Sequence, residues 1–284
     1  MRRQRLAAFT ATLVAVLMAL VAAGPAEAAR KATLASTDYP SSMSSLGDSI
    51  TRGFNASGWF SDWPDRSWST GTNTTVKSHY KRLVALNGRL QGNAYNNARS
   101  GAKVRELPAQ ATTSVSQGAE YVTILIGAND ACTETEGQMT RVADFAASFD
   151  TAMKTLATQT PQPKVLVASI PNLMRLYNVG KNSSSARAAW NAYDICQSML
   201  ARPLSTDQAD VDRRARVRDR VKAYNAKLAE VCGTYTFCTY DGGAVFGYPF
   251  TLSQLSGWDY FHPNTSGQAA LSQVTYQAGY WPTP

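Results

Sequence analysis

The sequence predicts an α/β fold built around a mostly parallel sheet, and two observations support this prediction. Short apolar runs alternate along the chain with longer segments whose apolar residues recur at helical spacing, which is typical of a parallel sheet crossed by helices. The runs at 121–126 and 164–170 are predominantly apolar and end at Gly127 and Pro171. Such runs, bounded by turn residues, are expected of strands covered on both faces.

Each element follows from its local pattern. Strands are expected at 43–46, 94–97, 121–126, 164–170 and 235–240. Helices are indicated where apolar residues lie three or four positions apart: Val76, Tyr80, Leu83 and Leu90; Val142, Phe145, Phe149, Met153 and Leu156; Val217, Val221, Tyr224, Leu228 and Val231. A closing helix is expected over 267–280. Small polar residues predict irregular structure over 29–40, 55–75 and 178–185.

The first 28 residues have the pattern of a secretory signal peptide. Three arginines among the first five residues precede an apolar run over 6–23, and Ala26-Glu27-Ala28 offers a small-x-small cleavage site. The rival interpretation is a membrane anchor, because the run is close to the lower length limit for a bilayer span. Pro25 and the cleavage pattern favour removal. We therefore expect a secreted protein with one domain over 29–284, since no linker or repeat divides that stretch.

The chain is basic, with a formal net charge of +8. Residues 1–28 hold three Arg and one Glu, so their removal leaves +6. We interpret this positive charge mainly as a contribution to solubility. The alternative is transient contact with an anionic or lipid interface. The five arginines between Arg213 and Arg220 are expected to form a solvated helix face, so no nucleic-acid partner is predicted. A monomer is expected.

Four cysteines in an exported chain predict two disulfides, and they allow three pairings. Cys232 and Cys238 flank a short turn that contains Gly233, which favours a local bridge and leaves Cys132 to pair with Cys196. No Cys-x-x-Cys spacing occurs and the chain has two histidines. We therefore expect no metal site.

Unusual polar groups lie where the predicted strands end, which is where open α/β sheets bind their ligands. Gly47-Asp48-Ser49-Ile50 follows the first strand and Asn97-Ala98-Arg99-Ser100-Gly101 follows the second. Gly127-Ala128-Asn129-Asp130 follows the third, and Asp259-Tyr260-Phe261-His262-Pro263 lies near the C-terminus.

These four groups resemble, in order, the sequence blocks of the GDSL or SGNH hydrolases. The match spans residues 47–263 and departs from the family at Ile50, where leucine is usual. The resemblance implies a three-layer α/β/α, flavodoxin-like fold and hydrolysis of esters without a cofactor. Cys132 follows the third block closely. This arrangement resembles the secreted lipase and phospholipase B-like branch of the family.

Chemistry supports the same assignment from the residues themselves. A serine hydroxyl needs a base to become a nucleophile, and histidine is the usual base near neutral pH. Of the two histidines, His79 falls in a predicted surface helix, whereas His262 lies in a turn three residues after Asp259. A carboxylate in that position orients the imidazole and stabilises its charged form. We predict Ser49 as the nucleophile, His262 as the base and Asp259 as the third member.

The resemblance also implies an oxyanion hole, made of the backbone N–H groups of Ser49 and Gly101 and the side-chain amide of Asn129. Such donors stabilise the charge that develops on an ester oxygen during attack. Glycine at position 101 also allows close approach of a ligand. Asp48 and Asp130 are expected to be structural.

The substrate class stays open between three hypotheses. The first is an ester hydrolase that acts on lipids or small acyl esters, and the second is a carbohydrate acetyl esterase. The third is a non-catalytic wall- or sugar-binding module with a degenerate site. Trp59, Trp63 and Trp68 either line an acyl pocket or sugar platform or pack their loop against the core.

Overall fold

A computed structural model describes residues 39–282, which form a single five-stranded sheet flanked by helices. The strands are β1 (Met43–Gly47), β2 (Ala94–Asn96), β3 (Tyr121–Leu125), β4 (Lys164–Val167) and β5 (Cys238–Tyr240). Their order is β2-β1-β3-β4-β5, and every neighbouring pair is parallel. This is the order of flavodoxin-like sheets, so the predicted fold class is confirmed.

The predicted signal peptide at 1–28 and the segment 29–38 lie outside the described residues. Among the residues described, no helix is both long enough and apolar enough to span a bilayer. That part of the chain also holds no cluster of three His, Cys, Asp or Glu residues suited to a metal ion.

The helices differ greatly in length. They are α1 (Ser49–Arg52), α2 (His79–Val84), α3 (Leu107–Ser116), α4 (Ala128–Ala131), α5 (Val142–Ala157), α6 (Leu173–Gly180), α7 (Ser184–Ala192), α8 (Gln197–Leu200), α9 (Gln208–Cys232), α10 (Ala244–Gly247) and α11 (Thr265–Gln277). Single 3₁₀ turns lie at Pro64–Arg66, Gly88–Leu90, Val104–Glu106, Glu136–Gln138 and Leu252–Gln254.

Two apolar layers form because successive strand residues point to opposite faces of the sheet. Val122 and Ile124 of β3 face a large core shared with α3, α5 and α9. Tyr121 of β3 and Leu166 of β4 face a smaller core that also includes Tyr276 of α11. The sheet is therefore the middle layer of three.

Strand β4 is shorter than predicted, because side chains take over its backbone hydrogen bonds. The run at 164–170 predicts one strand, and Ala168 N–H still donates to Ile124 O at 2.8 Å. Beyond it, Ser169 N–H donates to the Asp241 carboxylate at 2.9 Å and Ile170 N–H to the Asn225 side chain at 2.8 Å. These acceptors end the regular ladder at Val167.

The prediction of irregular structure over 178–185 is largely wrong. Helix α6 continues to Gly180, and α7 begins at Ser184, where the Ser183 hydroxyl caps it by accepting from Ala186 N–H at 3.2 Å. Small polar residues there act as helix caps rather than as a loop. Helix α3, which the sequence analysis did not identify, begins at Leu107 and has Pro108 in its first turn, where proline is tolerated.

The arginines of α9 are only partly the solvated face that was expected. Arg216 and Arg218 are paired with Glu136 and Asp219 at 2.7 and 2.8 Å and lie at the surface. Arg213 instead turns inward and donates to the carbonyls of Gln197, Ser198 and Ala201 at 2.6–2.9 Å. It thereby satisfies backbone acceptors at and after helix α8.

Candidate active site

Ser49 lies at the carboxyl end of β1, where the chain turns sharply into helix α1. Gly47 has a φ of +146°, and a Cβ there would lie 2.1 Å from the carbonyl oxygen of Leu125. Only glycine fits this close approach of two backbones. The Asp48 side chain then caps α1 by accepting from Ile50 N–H at 2.9 Å, so Ser49 occupies the first helical position.

Two buried glutamines hold the backbone on either side of this turn. The Gln110 side chain accepts from Gly47 N–H at 2.7 Å and donates to Gly47 O at 2.9 Å. The Gln268 side chain donates to Ile50 O at 2.7 Å and accepts from Trp68 N–H at 2.9 Å. Because both glutamines are buried, these bonds restrict the backbone to one arrangement around Ser49.

The structure brings together the three residues predicted as nucleophile, base and orienting acid. The Ser49 Oγ atom lies 2.8 Å from His262 Nε2, although 213 positions separate the two residues in the chain. On the other side of the ring, His262 Nδ1 lies 2.7 Å from Asp259 Oδ2. With Nδ1 donating to the carboxylate, Nε2 carries the lone pair and faces the serine hydroxyl.

Asp259 is buried and has hydrogen-bond donors on both carboxylate oxygens. Its Oδ1 accepts from the backbone N–H groups of Phe261 and His262 at 2.8 and 3.0 Å. Its Oδ2 accepts from the Asn55 amide at 2.5 Å as well as from His262. Burial alone would raise the pKa of Asp259, but the bonds from His262, Phe261 and Asn55 outweigh burial and lower it below 3.8.

Two aromatic rings enclose the imidazole of His262. The Phe54 and Phe261 rings approach it edge-on, with centroid distances of 4.9 and 5.0 Å. The His262 side chain is only 14% exposed. Because water is partly excluded from these surroundings, the local dielectric constant is low, which strengthens the electrostatic interaction between the His262 ring and Asp259.

The three predicted oxyanion donors, which belong to Ser49, Gly101 and Asn129, line one cleft together with His262. Gly101 has a φ of +82°, and a Cβ there would meet nothing within 4 Å. Glycine is thus favoured by backbone conformation, and its open side leaves room for a ligand. The Asn129 amide donates one hydrogen to Ala102 O at 3.0 Å, which orients the amide and leaves its second hydrogen for another acceptor.

Asp48 and Asp130 are buried and do not line the cleft. Burial raises the pKa of Asp48 to about 7, despite the bond from Ile50 N–H, and its Oδ2 has no partner among the described residues. Burial also raises the pKa of Asp130, which accepts from Val104 N–H at 2.9 Å and Thr140 Oγ1 at 2.7 Å. Both carboxyls brace loops, as the sequence analysis expected of structural residues.

His79 is in the core and not on a surface helix, so that expectation is wrong. It begins α2 but is 1% exposed, with Nδ1 2.9 Å from Tyr121 Oη and Nε2 2.8 Å from Thr275 Oγ1. Burial lowers its pKa to about 3. The ring belongs to the apolar layer that contains Tyr121 and Tyr276, and it does not line the cleft.

A disulfide forms part of the cleft wall. Cys132 and Cys196 are bonded, as are Cys232 and Cys238, which are the pairs favoured from the sequence. The first bridge joins the loop after α4, close to Asn129, to the segment before α8. Hydrogen bonds across the same junction, including Ser198 Oγ to Ala131 O at 2.7 Å, reinforce it.

A model of the GDSL-like lipase/acylhydrolase family matches residues 45–270, which is most of the chain and includes the whole cleft. The chain belongs to the GDSL-like lipase/acylhydrolase family. Membership of this family places the chain among ester-cleaving enzymes. A comparison with curated proteins finds no significant match.

Solved structures similar to this GDSL-family chain include three esterases. An extracellular lipase from Streptomyces rimosus is 21% identical, with 84% of this chain and 99% of that chain covered and a TM-score of 0.49. A family 3 carbohydrate esterase from Clostridium thermocellum is 13% identical, with 83% and 93% covered and a TM-score of 0.47. A two-domain esterase active on acetylated mannans is 16% identical, with 90% and 55% covered and a TM-score of 0.47.

The tryptophans that follow Ser49 in this GDSL-family chain divide between the surface and the interior. Trp68 is fully buried in the core, and Trp63 packs against Gly58, where a Cβ would lie 2.5 Å from its ring. Trp59 is 56% exposed beside Trp258, with ring centroids 6.2 Å apart. Phe60, which lines the cleft, joins Trp59 to Tyr193 through edge contacts at 5.2 Å. Four exposed aromatic side chains form what we call the aromatic rim: Trp59, Phe60, Tyr193 and Trp258.

Sequence reasoning missed three residues that position the site. Asn55, Gln110 and Gln268 each act through a hydrogen bond to a residue 63 to 218 positions away. Gln110 and Gln268 give no signal in the sequence, because glutamine is ordinary in helices. Asn55 adopts a φ of +55°, which asparagine tolerates, and the sequence hints at its role only by placing it in a short polar loop after Ser49.

Proposed function

We propose that this chain is a secreted serine hydrolase that cleaves carboxylic esters through an acyl-enzyme intermediate. The observation that carries the proposal is the 2.8 Å contact between Ser49 Oγ and His262 Nε2. In the first half-reaction, Ser49 Oγ bonds to the ester carbonyl carbon while His262 Nε2 takes the hydroxyl proton. The carbonyl oxygen becomes an oxyanion and accepts from Ser49 N–H, Gly101 N–H and the Asn129 amide.

Collapse of that intermediate breaks the bond to the alcohol oxygen, which receives the proton from His262. Water then attacks the acyl carbon and gives a proton to His262. The bond between the acyl carbon and Ser49 Oγ breaks, His262 returns the proton to Oγ, and the acid is released. Asp259 stays ionised throughout, since its depressed pKa favours the carboxylate that stabilises the imidazolium. All these groups come from the chain, so the proposal includes no metal or cofactor.

Lipids and small acyl esters are the proposed substrates. All four side chains of the aromatic rim are exposed, and two of them, Phe60 and Tyr193, line the cleft. Aromatic rings are favoured at boundaries between water and lipid. The net charge of +6 that remains after removal of residues 1–28 favours approach to anionic surfaces. Both features support transient contact with a lipid interface.

Replacing Ser49 tests the proposal directly. We expect Ser49→Ala to abolish hydrolysis of a short nitrophenyl ester and labelling by a fluorophosphonate, while circular dichroism stays unchanged. Ser100→Ala is the matched control, because Ser100 lines the same cleft but its hydroxyl donates to Asp62 at 2.5 Å and not to a histidine. Turnover or labelling that survives in Ser49→Ala would refute the assignment. A wild-type protein that takes no label would instead favour the non-catalytic wall- or sugar-binding module.

A carbohydrate acetyl esterase is the second candidate function. The exposed pair Trp59 and Trp258 favours it, because flat, exposed aromatic faces suit a sugar ring. Acetate release from acetylated xylan, together with no hydrolysis of longer acyl esters, would select this candidate. Hydrolysis that extends to longer chains would select the lipid and acyl-ester candidate.

Secretion is proposed from the N-terminal pattern and the two disulfides. Disulfides persist in oxidising, extracellular surroundings, and two are present in the described residues. Cleavage after Ala28 would leave a single mature domain over 29–284. N-terminal sequencing of protein from the growth medium tests this, and an intact Met1 in the secreted form would contradict it.

A further inference from the structure

A second cavity adjoins the catalytic cleft, and Phe261 lines both. Almost all of its wall is apolar, with contributions from Ile50, Leu173, Leu176 and Phe250. Its volume is about 40 Å³, roughly three times what one water molecule needs. Because a dry apolar cavity offers water few partners, hydrocarbon is the chemistry that suits it.

The cavity begins one residue away from three proposed catalytic groups. Ile50, Ala128 and Pro263 line it, and they adjoin Ser49, Asn129 and His262 in the chain. A hydrocarbon chain attached to a carbonyl carbon at Ser49 therefore has a short path to the cavity. That path crosses the position of the Phe261 ring.

Phe261 forms a wall that the cavity and the cleft share. Its backbone N–H is held by Asp259 Oδ1 at 2.8 Å, but its half-buried ring meets His262 only by its edge, at 5.0 Å between centroids. The side chain can turn about its own bonds while the backbone that positions His262 stays fixed. Rotation of the ring would join the cavity to the cleft.

We propose that this cavity holds the first methylene groups of the substrate's acyl chain and that Phe261 controls access to it. The inference deepens the proposed function and rests on it. In the alternative binding mode, the acyl chain leaves the cleft toward the surface and lies along the aromatic rim. Burial of each further methylene group in the cavity should raise kcat/KM by about fourfold.

Chain-length preference tests the proposal, with nitrophenyl acetate and nitrophenyl decanoate as substrates. We expect Phe261→Ala to raise the decanoate-to-acetate ratio of kcat/KM at least tenfold, because the path to the cavity opens. Phe54→Ala is the matched control: Phe54 lines the cleft and contacts His262 at 4.9 Å, but it does not line the cavity. Its ratio should stay within twofold of the wild type.

Filling the cavity should have the opposite effect. We expect Leu176→Phe and Val179→Phe to lower the decanoate-to-acetate ratio about tenfold, since both residues line the cavity. Leu204→Phe, at a side chain 59% exposed and outside both cavities, is the surface control. Thermal melting identifies any variant that fails to fold, and two filling variants are used so that one failure does not remove the test.

Equal shifts for Phe54→Ala and Phe261→Ala, or unchanged ratios in both filling variants, would overturn the proposal. Failure of the ester-hydrolase function is distinguished by wild-type protein that neither cleaves acetate nor takes the fluorophosphonate label. A crystal soaked with decanoic acid assays the cavity without catalysis. A tail beside Ile50 and Leu176 supports the proposal, and a tail on the aromatic rim or no tail at all contradicts it.

Discussion

Replacing Asp259 by asparagine tests how the site orients its base. The variant keeps one oxygen, which can still accept the Phe261 and His262 backbone N–H groups at the Oδ1 position. The new NH₂ group then faces both His262 Nδ1 and the Asn55 amide, where Oδ2 accepted two donors. A donor there favours the imidazole tautomer that carries its hydrogen on Nε2, toward Ser49.

That tautomer cannot accept the Ser49 proton. The equivalent change in Ser-His-Asp proteases lowers kcat on the order of 10⁴-fold, which corresponds to about 5.4 kcal/mol of transition-state stabilisation. We expect a loss of the same order here, because the contact from Nδ1 to Oδ2 is 2.7 Å and Asp259 is 2% exposed.

The assay is kcat/KM for nitrophenyl acetate between pH 4 and pH 9, with thermal melting to check the fold. Wild-type activity should fall on acidification, because protonated His262 cannot take the Ser49 proton. Asn55→Ala is the matched control, since it removes one bond to Oδ2 without reversing the tautomer, and it should cost less than 100-fold. A loss below tenfold in a folded Asp259→Asn, or a wild-type rate that is flat down to pH 4, would refute the reasoning.

Three further predictions concern the framework of the site. Gln110→Ala removes the side-chain acceptor of the buried Gly47 N–H and one of two donors to Gly47 O, which still accepts from Arg99 N–H at 3.1 Å. We therefore expect the free energy of unfolding to fall by about 1–3 kcal/mol in urea titration, and a change under about 0.5 kcal/mol would contradict this role of Gln110. The pKa of Asp48 is about 7 when folded and 3.8 ordinarily. The native state therefore binds more protons between those values, and stability should decrease as pH rises from 4 to 7, by at most about 1.4 kcal/mol per pH unit. Asp48→Asn should flatten this decrease in urea titrations, and equal slopes in both proteins would disprove the cause. Replacing Cys132 and Cys196 by serine opens a link that spans 64 positions, which should cost about 4 kcal/mol and also lower kcat/KM, because both residues line the cleft. Unchanged kcat/KM in that folded variant would show that the bridge does not shape the site.

The order of elements could be predicted because strands and helices leave local periodic patterns. The run at 142–156 predicted a helix that the structure has at Val142–Ala157, since one face of a helix collects its apolar residues. Helix α3 was missed because its hydrophobic pattern is interrupted by small polar residues such as Thr112 and Thr113. Local spacing alone cannot distinguish such a segment from a loop.

Burial was harder to predict than secondary structure. His79 was predicted on a surface helix, yet it is 1% exposed, and its ring lies 5.3 Å from that of Trp68, for which core packing was one of two alternatives. The His79 ring contacts Tyr121 and Thr275, which lie far away in the chain. No pattern in the neighbouring residues records those contacts.

The sequence by itself determined the chemical types at the site: a serine at a strand end, a histidine three residues after an aspartate, and glycine where the backbone must turn tightly. Only the tertiary structure decided which groups meet, that Gln110 and Gln268 hold the backbone beside Ser49, and that Phe261 separates two cavities. The physical reason is the separation along the chain over which each kind of interaction acts. Periodicity and turn preferences act between near neighbours, whereas a hydrogen bond or a cavity wall depends on the packing of segments up to about 200 positions apart.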